Sequence, residues 1–158
     1  MKLLHFLITL LLSTPPVLAN EFLYMVCRTD TNVKVSDLAS GEITDDEDTE
    51  EWFLFQIDLT NKKLRNHINP AWVDVRVERD QIIQDTTYTN GNKSAHNQGS
   101  LPLNPPGPIS IHNQWRIPPH LRVVKSEGEC REIDSSTWDE GVEQFGTKEP
   151  SSGGHQGQ

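Results

Sequence analysis

The chain has 158 residues, with 14 Lys and Arg against 23 Asp and Glu, and a formal net charge of −9 at neutral pH. An acidic surface repels nucleic acid phosphates and anionic lipids, so we expect neither as a partner. The length fits one small domain whose core is of modest size. A covalent cross-link would therefore matter to its stability.

An export signal is predicted at the start of the chain. Lys2 precedes a mostly apolar run over residues 3–12, and Ala19 ends a segment typical of a cleavage site. The run is too short to span a bilayer, which takes about 20 apolar residues. An uncleaved interfacial helix is the alternative. We expect residues 1–19 to be a signal peptide, and the protein to be periplasmic or secreted, without a membrane anchor.

Two cysteines, Cys27 and Cys130, lie in the first and last apolar segments that follow this signal. In an oxidising compartment such a pair favours one disulfide. The bond would make the first and last strands neighbours. The alternative is two free, buried thiols. A redox catalyst is disfavoured, because the chain has no Cys-x-x-Cys pair.

Short segments of alternating or apolar character are separated by polar and proline-containing turns, and no long segment has helical periodicity. This pattern predicts an all-β fold, a small antiparallel barrel or sandwich of about seven or eight strands with the terminal strands adjacent. Gly128 is expected to mark a β-bulge. Residues 20–138 are predicted to form a single β-domain, and residues 139–158 a disordered acidic and Gly/Ser-rich tail. The predicted strands cover residues 22–28, 32–36, 52–59, 64–66, 72–78, 81–88, 109–117 and 121–133.

Residues 42–51 hold seven acidic side chains and are predicted to form a solvated loop. Asp45, Asp46 and Asp48 are the candidates for binding a divalent cation. Their contiguous arrangement lacks the alternation and the glycine of an EF-hand loop, so we expect no metal site. No other cofactor is expected.

Three tryptophans, Trp52, Trp72 and Trp115, are the candidates for contact with a small ligand, with packing in the core or at the rim as the alternative. No catalytic residue is assigned. The chain has no serine in a glycine-flanked turn, and its cysteines are expected to be oxidised. Whether the protein is an enzyme is left open, with a non-enzymatic role favoured.

The chain resembles small exported bacterial β-domain proteins in three places. These are Met25-Val26-Cys27 in an early strand, the aromatic-rich strand ending in Ile57-Asp58-Leu59, and Gly128-Glu129-Cys130 in the last strand. The resemblance implies a disulfide-closed β-domain and transfers no activity.

The sequence names no function. We expect an exported, soluble, non-enzymatic β-domain that binds a small apolar or amphipathic ligand. One alternative is an envelope or secreted protein-interaction module that uses the acidic run and the proline-rich residues 102–108 against a basic partner. A hydrolase with an unrecognised site is the other.

Overall fold

The computed structural model describes residues 22–146, which form nine β-strands and one α-helix. The predicted signal peptide and residues 147–158 of the predicted tail lie outside this range. In chain order the elements are β1 (Phe22–Asp37), β2 (Ile43–Asp58), β3 (Lys63–Asn66), β4 (Val73–Asp74), β5 (Arg76–Glu78), β6 (Gln81–Asn90), β7 (Lys93–Pro102), β8 (Gly107–Ile117), β9 (His120–Glu132) and α1 (Ser135–Gly146).

All nine strands belong to one antiparallel sheet with the order β4-β3-β2-β1-β9-β8-β7-β6-β5. β4 and β5 follow each other in the chain but stand at opposite ends of this order, so the sheet curls into a nearly closed barrel. Val75, the residue between them, donates its backbone N–H to the carbonyl oxygen of Lys62 at 3.0 Å. The predicted all-β fold is confirmed, with slightly more strands than expected.

Two polar segments outside the predicted strands also pair in the sheet. Residues 93–102 form β7, which pairs with β6 across a tight turn in which Gly91 has a φ of 60°. The acidic run is the first half of β2 rather than a loop, and it pairs with β1 from Val35–Asp45 onward. The predicted loop is therefore wrong. Inter-strand hydrogen bonds and neutralising partners on β1 outweigh the low strand propensity of the acids.

Cys27 and Cys130 form a disulfide between β1 and β9, as predicted, with their Cα atoms 4.0 Å apart. The two residues are also direct partners in the β1–β9 register. The first and last strands of the chain are thus joined by both hydrogen bonds and a covalent bond. The register continues without interruption through Gly128, so the predicted bulge is wrong; the irregularity is in the β1–β2 pairing, between Val35 and Ser36.

The core fills the end of the barrel at which the short strands β3, β4 and β5 bring the two edges of the sheet together. Odd-numbered residues of β1 point inward, and Met25 and Cys27 are fully buried. Across the register Met25 faces Phe55 and Leu23 faces Ile57. The period of two predicted for this part of β2 is confirmed. The buried core consists of Leu23, Met25, Cys27, Phe55, Ile57, Leu64, Val75, Ile82, Leu101, Ile109 and Cys130.

Helix α1 covers the outer face of β1 and β2, which explains why both faces of these strands are partly buried. Trp138 is 5% exposed and packs on Tyr24, with ring centroids 6.1 Å apart. Gly141 lies against Leu54. The prediction that residues 139–146 belong to a disordered tail is therefore wrong. The apolar surface supplied by the sheet stabilises a helix that its own polar sequence does not indicate.

Candidate functional site

A cavity of about 470 Å³ opens on the inner face of the sheet, beyond the core. Such a volume is in the range of pockets that hold small organic ligands. Its wall combines aromatic and aliphatic side chains with a similar number of polar ones. The apolar lining includes Val33, Phe53, Phe55, Ile68, Leu101, Ile111, Trp115 and Val124. The polar lining includes Glu51, Asn66, Asn69, Gln84, Asn97, Gln98, Asn113, Arg122 and Ser126.

Phe53 and Phe55 form the aromatic wall of the cavity on β2. Both occupy inward positions of the strand, opposite Cys27 and Met25. Their ring centroids are 6.0 Å apart with an interplanar angle of 28°. Phe55 is buried in the core and Phe53 stands one pleat further toward the opening. The alternation of the strand therefore extends the core surface directly into the cavity.

A row of buried hydroxyl groups lies on the wall beside the disulfide. Thr31 Oγ1 donates to Ser126 Oγ at 2.8 Å, and the hydroxyls of Thr29 and Thr31 are 3.2 Å apart. Thr29 Oγ1 also donates to the backbone oxygen of Glu51 at 3.4 Å. The three hydroxyl side chains are each no more than 2% exposed. Mutual hydrogen bonding lets polar side chains continue the inner face where the apolar core ends.

Trp115 and Arg122 stand at the outer end of the cavity on paired positions of β8 and β9. The guanidinium carbon of Arg122 lies 5.6 Å from the centroid of the Trp115 ring. This cation–π contact orients the indole and leaves the guanidinium N–H groups exposed to solvent. The mouth of the cavity therefore has an aromatic surface with one positive charge.

Two polar groups of the cavity wall have no partner within the described part of the chain. The Glu51 carboxylate makes no hydrogen bond or ion pair with any of residues 22–146. Asn97 Oδ1 is buried and also lacks a hydrogen-bond partner there. Buried polar atoms are nearly always satisfied in native proteins. The Asn97 oxygen can therefore accept a hydrogen bond from a further group, and the half-buried Glu51 carboxylate can pair with a cation.

The barrel is open beside this cavity. Residues 43–52 of β2 pair only with β1, because β3 pairs only with residues 55–58. On the other side, residues 84–90 of β6 extend beyond the short strand β5. The gap between these two edges gives solvent access to the inner face.

The structure brings only one of the three predicted tryptophans to the cavity. Trp52 is 46% exposed on the outer face, because it is one residue away from the inward-facing Phe53. Trp72 stacks on Phe22 at 6.3 Å, and the Arg65 guanidinium lies 4.8 Å from its ring centroid. Of the three tryptophans that are candidates for ligand contact, Trp115 lines this cavity, whereas Trp52 and Trp72 lie away from it.

The three candidate cation ligands do not converge. Asp46 and Asp48 lie on the outer face, where Asn32 Nδ2 donates to both at 2.9 and 2.8 Å, and Asp45 lies on the inner face. The hydrogen bond from Asn32 lowers the pKa of Asp46 below its usual range. Over residues 22–146 no group of three His, Cys, Asp or Glu side chains is arranged to hold a metal ion.

A second hollow, of about 590 Å³, lies on the outer face of β1, β2 and β9. Its rim includes Asn32, Asp48 and Glu50, whose side chains already bind one another or Arg28. It is a wide, charged depression without an aromatic wall. The smaller inner cavity is therefore the better ligand site.

One part of the cavity wall can be predicted from strand alternation in the sequence, although not from the positions of the tryptophans. The alternation of residues 52–59 predicts that Phe53, Phe55 and Ile57 share one face of their strand, and this face does form part of the cavity wall and of the adjoining core. Asn97 and Arg122 had no such signal. Each is an isolated polar residue whose position inside the barrel depends on strand order.

The chain matches no protein-family model, no curated protein and no solved structure. Within residues 22–146 no helix has the length and apolar character needed to cross a membrane. The functional argument consequently rests on the geometry of the inner cavity.

Proposed function

We propose that this protein is an exported β-domain that binds a small amphipathic ligand in its inner cavity and does not transform it. The observation that carries the proposal is the cavity of about 470 Å³ with Phe53, Phe55 and Trp115 in its wall. Apolar walls with a few placed polar groups are the common composition of small-molecule sites. Glu51 and Arg122 give this wall its charged groups.

The disulfide supports export. Cys27 and Cys130 are the only cysteines of the chain, and they are bonded to each other. Structural disulfides persist in oxidising compartments and are rare in reducing ones. Together with the predicted signal at residues 1–19, the bond favours a periplasmic or secreted location.

Titration with the neutral fluorescent probe N-phenyl-1-naphthylamine tests the proposal. We expect saturable binding with one site. Trp115→Ala removes an aromatic wall and should weaken binding by about tenfold, the effect of losing one large apolar contact. Trp52→Ala, a matched change on the outer face, should leave the affinity unchanged.

A blocking variant completes this test. Gly99 lines the cavity and has room for a side chain, because an added Cβ would lie 3.7 Å from its nearest neighbour. Gly99→Leu should fill the space and abolish probe binding while the protein stays folded. Equal probe affinity in Gly99→Leu and the unaltered protein would contradict a site in this cavity.

A second candidate function is pairing of an extended basic segment along the free edge of β2. Residues 43–52 present unpaired backbone groups on one side and carry most of the acidic run. Strand addition to such an edge is a common mode of peptide recognition. Hydrogen exchange with and without a lysine-rich β-forming peptide tests it. Protection of alternate amides over residues 43–52 would favour this function over ligand binding.

A further inference from the structure

The strand alternation of β2 divides its acidic side chains into two sets with different surroundings. The outward set is compensated by side chains of the neighbouring strand β1. Lys34 Nζ is 3.2 Å from Asp46 Oδ2, Asn32 donates to Asp46 and Asp48, and Arg28 forms an ion pair with Glu50. The Arg28 guanidinium holds the pKa of Glu50 below its usual range.

The inward set has no such compensation. Asp45, Glu47 and Glu51 face Val35, Val33 and Thr29 in the β1–β2 register, and none of these partners carries a charge. Among residues 22–146, no side chain forms an ion pair with any of the three carboxylates. The inner face of β2 therefore carries uncompensated negative charge that leads from the opening into the cavity.

Glu51 is the member of this set that lines the cavity itself. It is half-buried and precedes the aromatic pair Phe53 and Phe55 on the same face. A carboxylate beside aromatic faces suits a group that carries both positive charge and N–H donors. Asn97 Oδ1, a buried acceptor without a partner within residues 22–146, lines the cavity from another strand, β7.

Arg122 is the only Lys or Arg among the lining residues, and it lies away from Glu51. Glu51 pairs with Thr29 of β1, whereas Arg122 pairs with Val35 of the same strand. Thr29 and Val35 are six residues apart, which is about 20 Å along the strand. Arg122 shares its row with Asp45 across Val35, so Asp45 is the one inward carboxylate with a basic residue in its row on β1 and β9, and Glu47 and Glu51 have none there.

We propose that the ligand of this cavity is an amine-bearing amphiphile, whose ammonium group is bound by Glu51 and whose apolar part packs on Phe53, Phe55 and Trp115. This inference rests on the proposed ligand-binding function and adds the charge of the ligand. A basic amine pairs with the Glu51 carboxylate, whereas a carboxylate end would place a second negative charge beside it.

Competition against bound N-phenyl-1-naphthylamine tests the inference with three probes of equal chain length: decylamine, 1-decanol and decanoate, each below its micelle-forming concentration at pH 7. We expect decylamine to displace the fluorescent probe at the lowest concentration and decanoate at the highest. Decylamine should bind about tenfold more tightly than 1-decanol, the effect of one charge-assisted hydrogen bond.

Matched variants separate the site from the overall charge of the protein. Glu51→Gln should remove the advantage of decylamine over 1-decanol. Glu50→Gln removes the same charge from the outer face and should retain most of that advantage.

The outcomes distinguish the inference from the function on which it rests. If N-phenyl-1-naphthylamine binds in the cavity but decylamine, 1-decanol and decanoate compete equally, the ligand-binding function stands and the amine preference is wrong. A decanoate preference that Arg122→Gln abolishes would overturn the inference in favour of an anionic ligand. If no probe binds, the proposed function itself fails.

Discussion

Gly128 on β9 lies directly opposite Thr29 on β1, and a Cβ atom on Gly128 would stand 2.8 Å from the Cα of Thr29. It would be closer still to the carbonyl oxygen of Arg28. Both neighbours are backbone atoms, so no side-chain rotation can make room. The absence of a side chain at this position allows the two terminal strands to approach beside the disulfide.

This contact predicts that Gly128→Ala is strongly destabilising. The added methyl group would push β9 away from β1, and we expect the free energy of unfolding to fall by about 1–3 kcal/mol. Urea denaturation measures the change. Gly99→Ala is the matched control, because its Cβ would make only ordinary contacts, the nearest at 3.7 Å. Equal losses in the two variants would show that the close approach at Gly128 is not limiting.

The disulfide is expected to supply a large part of the stability of this small domain. Its cysteines are 103 residues apart, and the chain-entropy argument assigns a loop of that length about 4–5 kcal/mol. We expect the double variant Cys27→Ser/Cys130→Ser to lose about 2–5 kcal/mol of unfolding free energy. Urea unfolding of the unaltered protein under reducing conditions should reproduce this loss. Unchanged midpoints in both experiments would contradict the prediction.

Asp134 predicts an acid-sensitive helix. It caps the N-terminus of α1, with Oδ1 accepting from Ser136 Oγ at 2.6 Å and from the Thr137 N–H at 2.7 Å. These hydrogen bonds, first among them that from Ser136, lower the pKa of Asp134 to about 2. A carboxyl group whose pKa is lower in the folded than in the unfolded protein stabilises the fold at pH values above the unfolded-state pKa. This stabilisation is lost as the pH falls toward the folded-state pKa.

We therefore expect α1 to loosen as the pH falls from about 4 to about 2. Fluorescence of Trp138, the buried tryptophan on α1, reports the change in a protein whose other tryptophans are replaced by Phe. Asp134→Asn retains an N-cap acceptor but does not titrate as a carboxylate, and it should remove this pH dependence. A pH response unaltered by Asp134→Asn would assign the effect to another carboxyl group.

His67 predicts a second pH dependence, at higher pH. Its Nδ1 accepts the Leu54 N–H at 3.2 Å, and its ring lies 6.0 Å from that of Phe145 on α1. Burial lowers the pKa of His67. His67 therefore binds a proton more readily in the unfolded chain than in the folded one. The free energy of unfolding is highest above the unfolded-state pKa of about 6.5, and it declines as the pH falls below that value.

Unfolding midpoints measured between pH 8 and pH 5 check this decline. We expect His67→Phe to reduce the pH dependence, since Phe fills a similar space and has no titrating group. His112→Asn, at an exposed position of β8, serves as the control and should retain it. A steeper dependence in His67→Phe than in the His112 variant would reverse the assignment.

Much of this fold follows from local patterns in the chain. The alternation of Phe53, Phe55 and Ile57 sets the inward face of β2, because successive side chains of a strand point to opposite sides. The two cysteines correctly indicated that the terminal strands are neighbours. The acidic run and residues 139–146 were misjudged for a shared reason. Each is stabilised by partners elsewhere in the chain, Lys34 and Asn32 in one case and the β1–β2 surface in the other.

The sequence by itself determined the all-β class, the pairing of Cys27 with Cys130 and the aromatic face of β2, all of which depend on residue type and spacing. Only the tertiary structure decided which side chains share the cavity. Glu51, Asn97 and Trp115 come from three strands, and their common position depends on strand order and on the curl of the sheet. Long-range backbone pairing sets both, and no local pattern encodes which distant strands will meet.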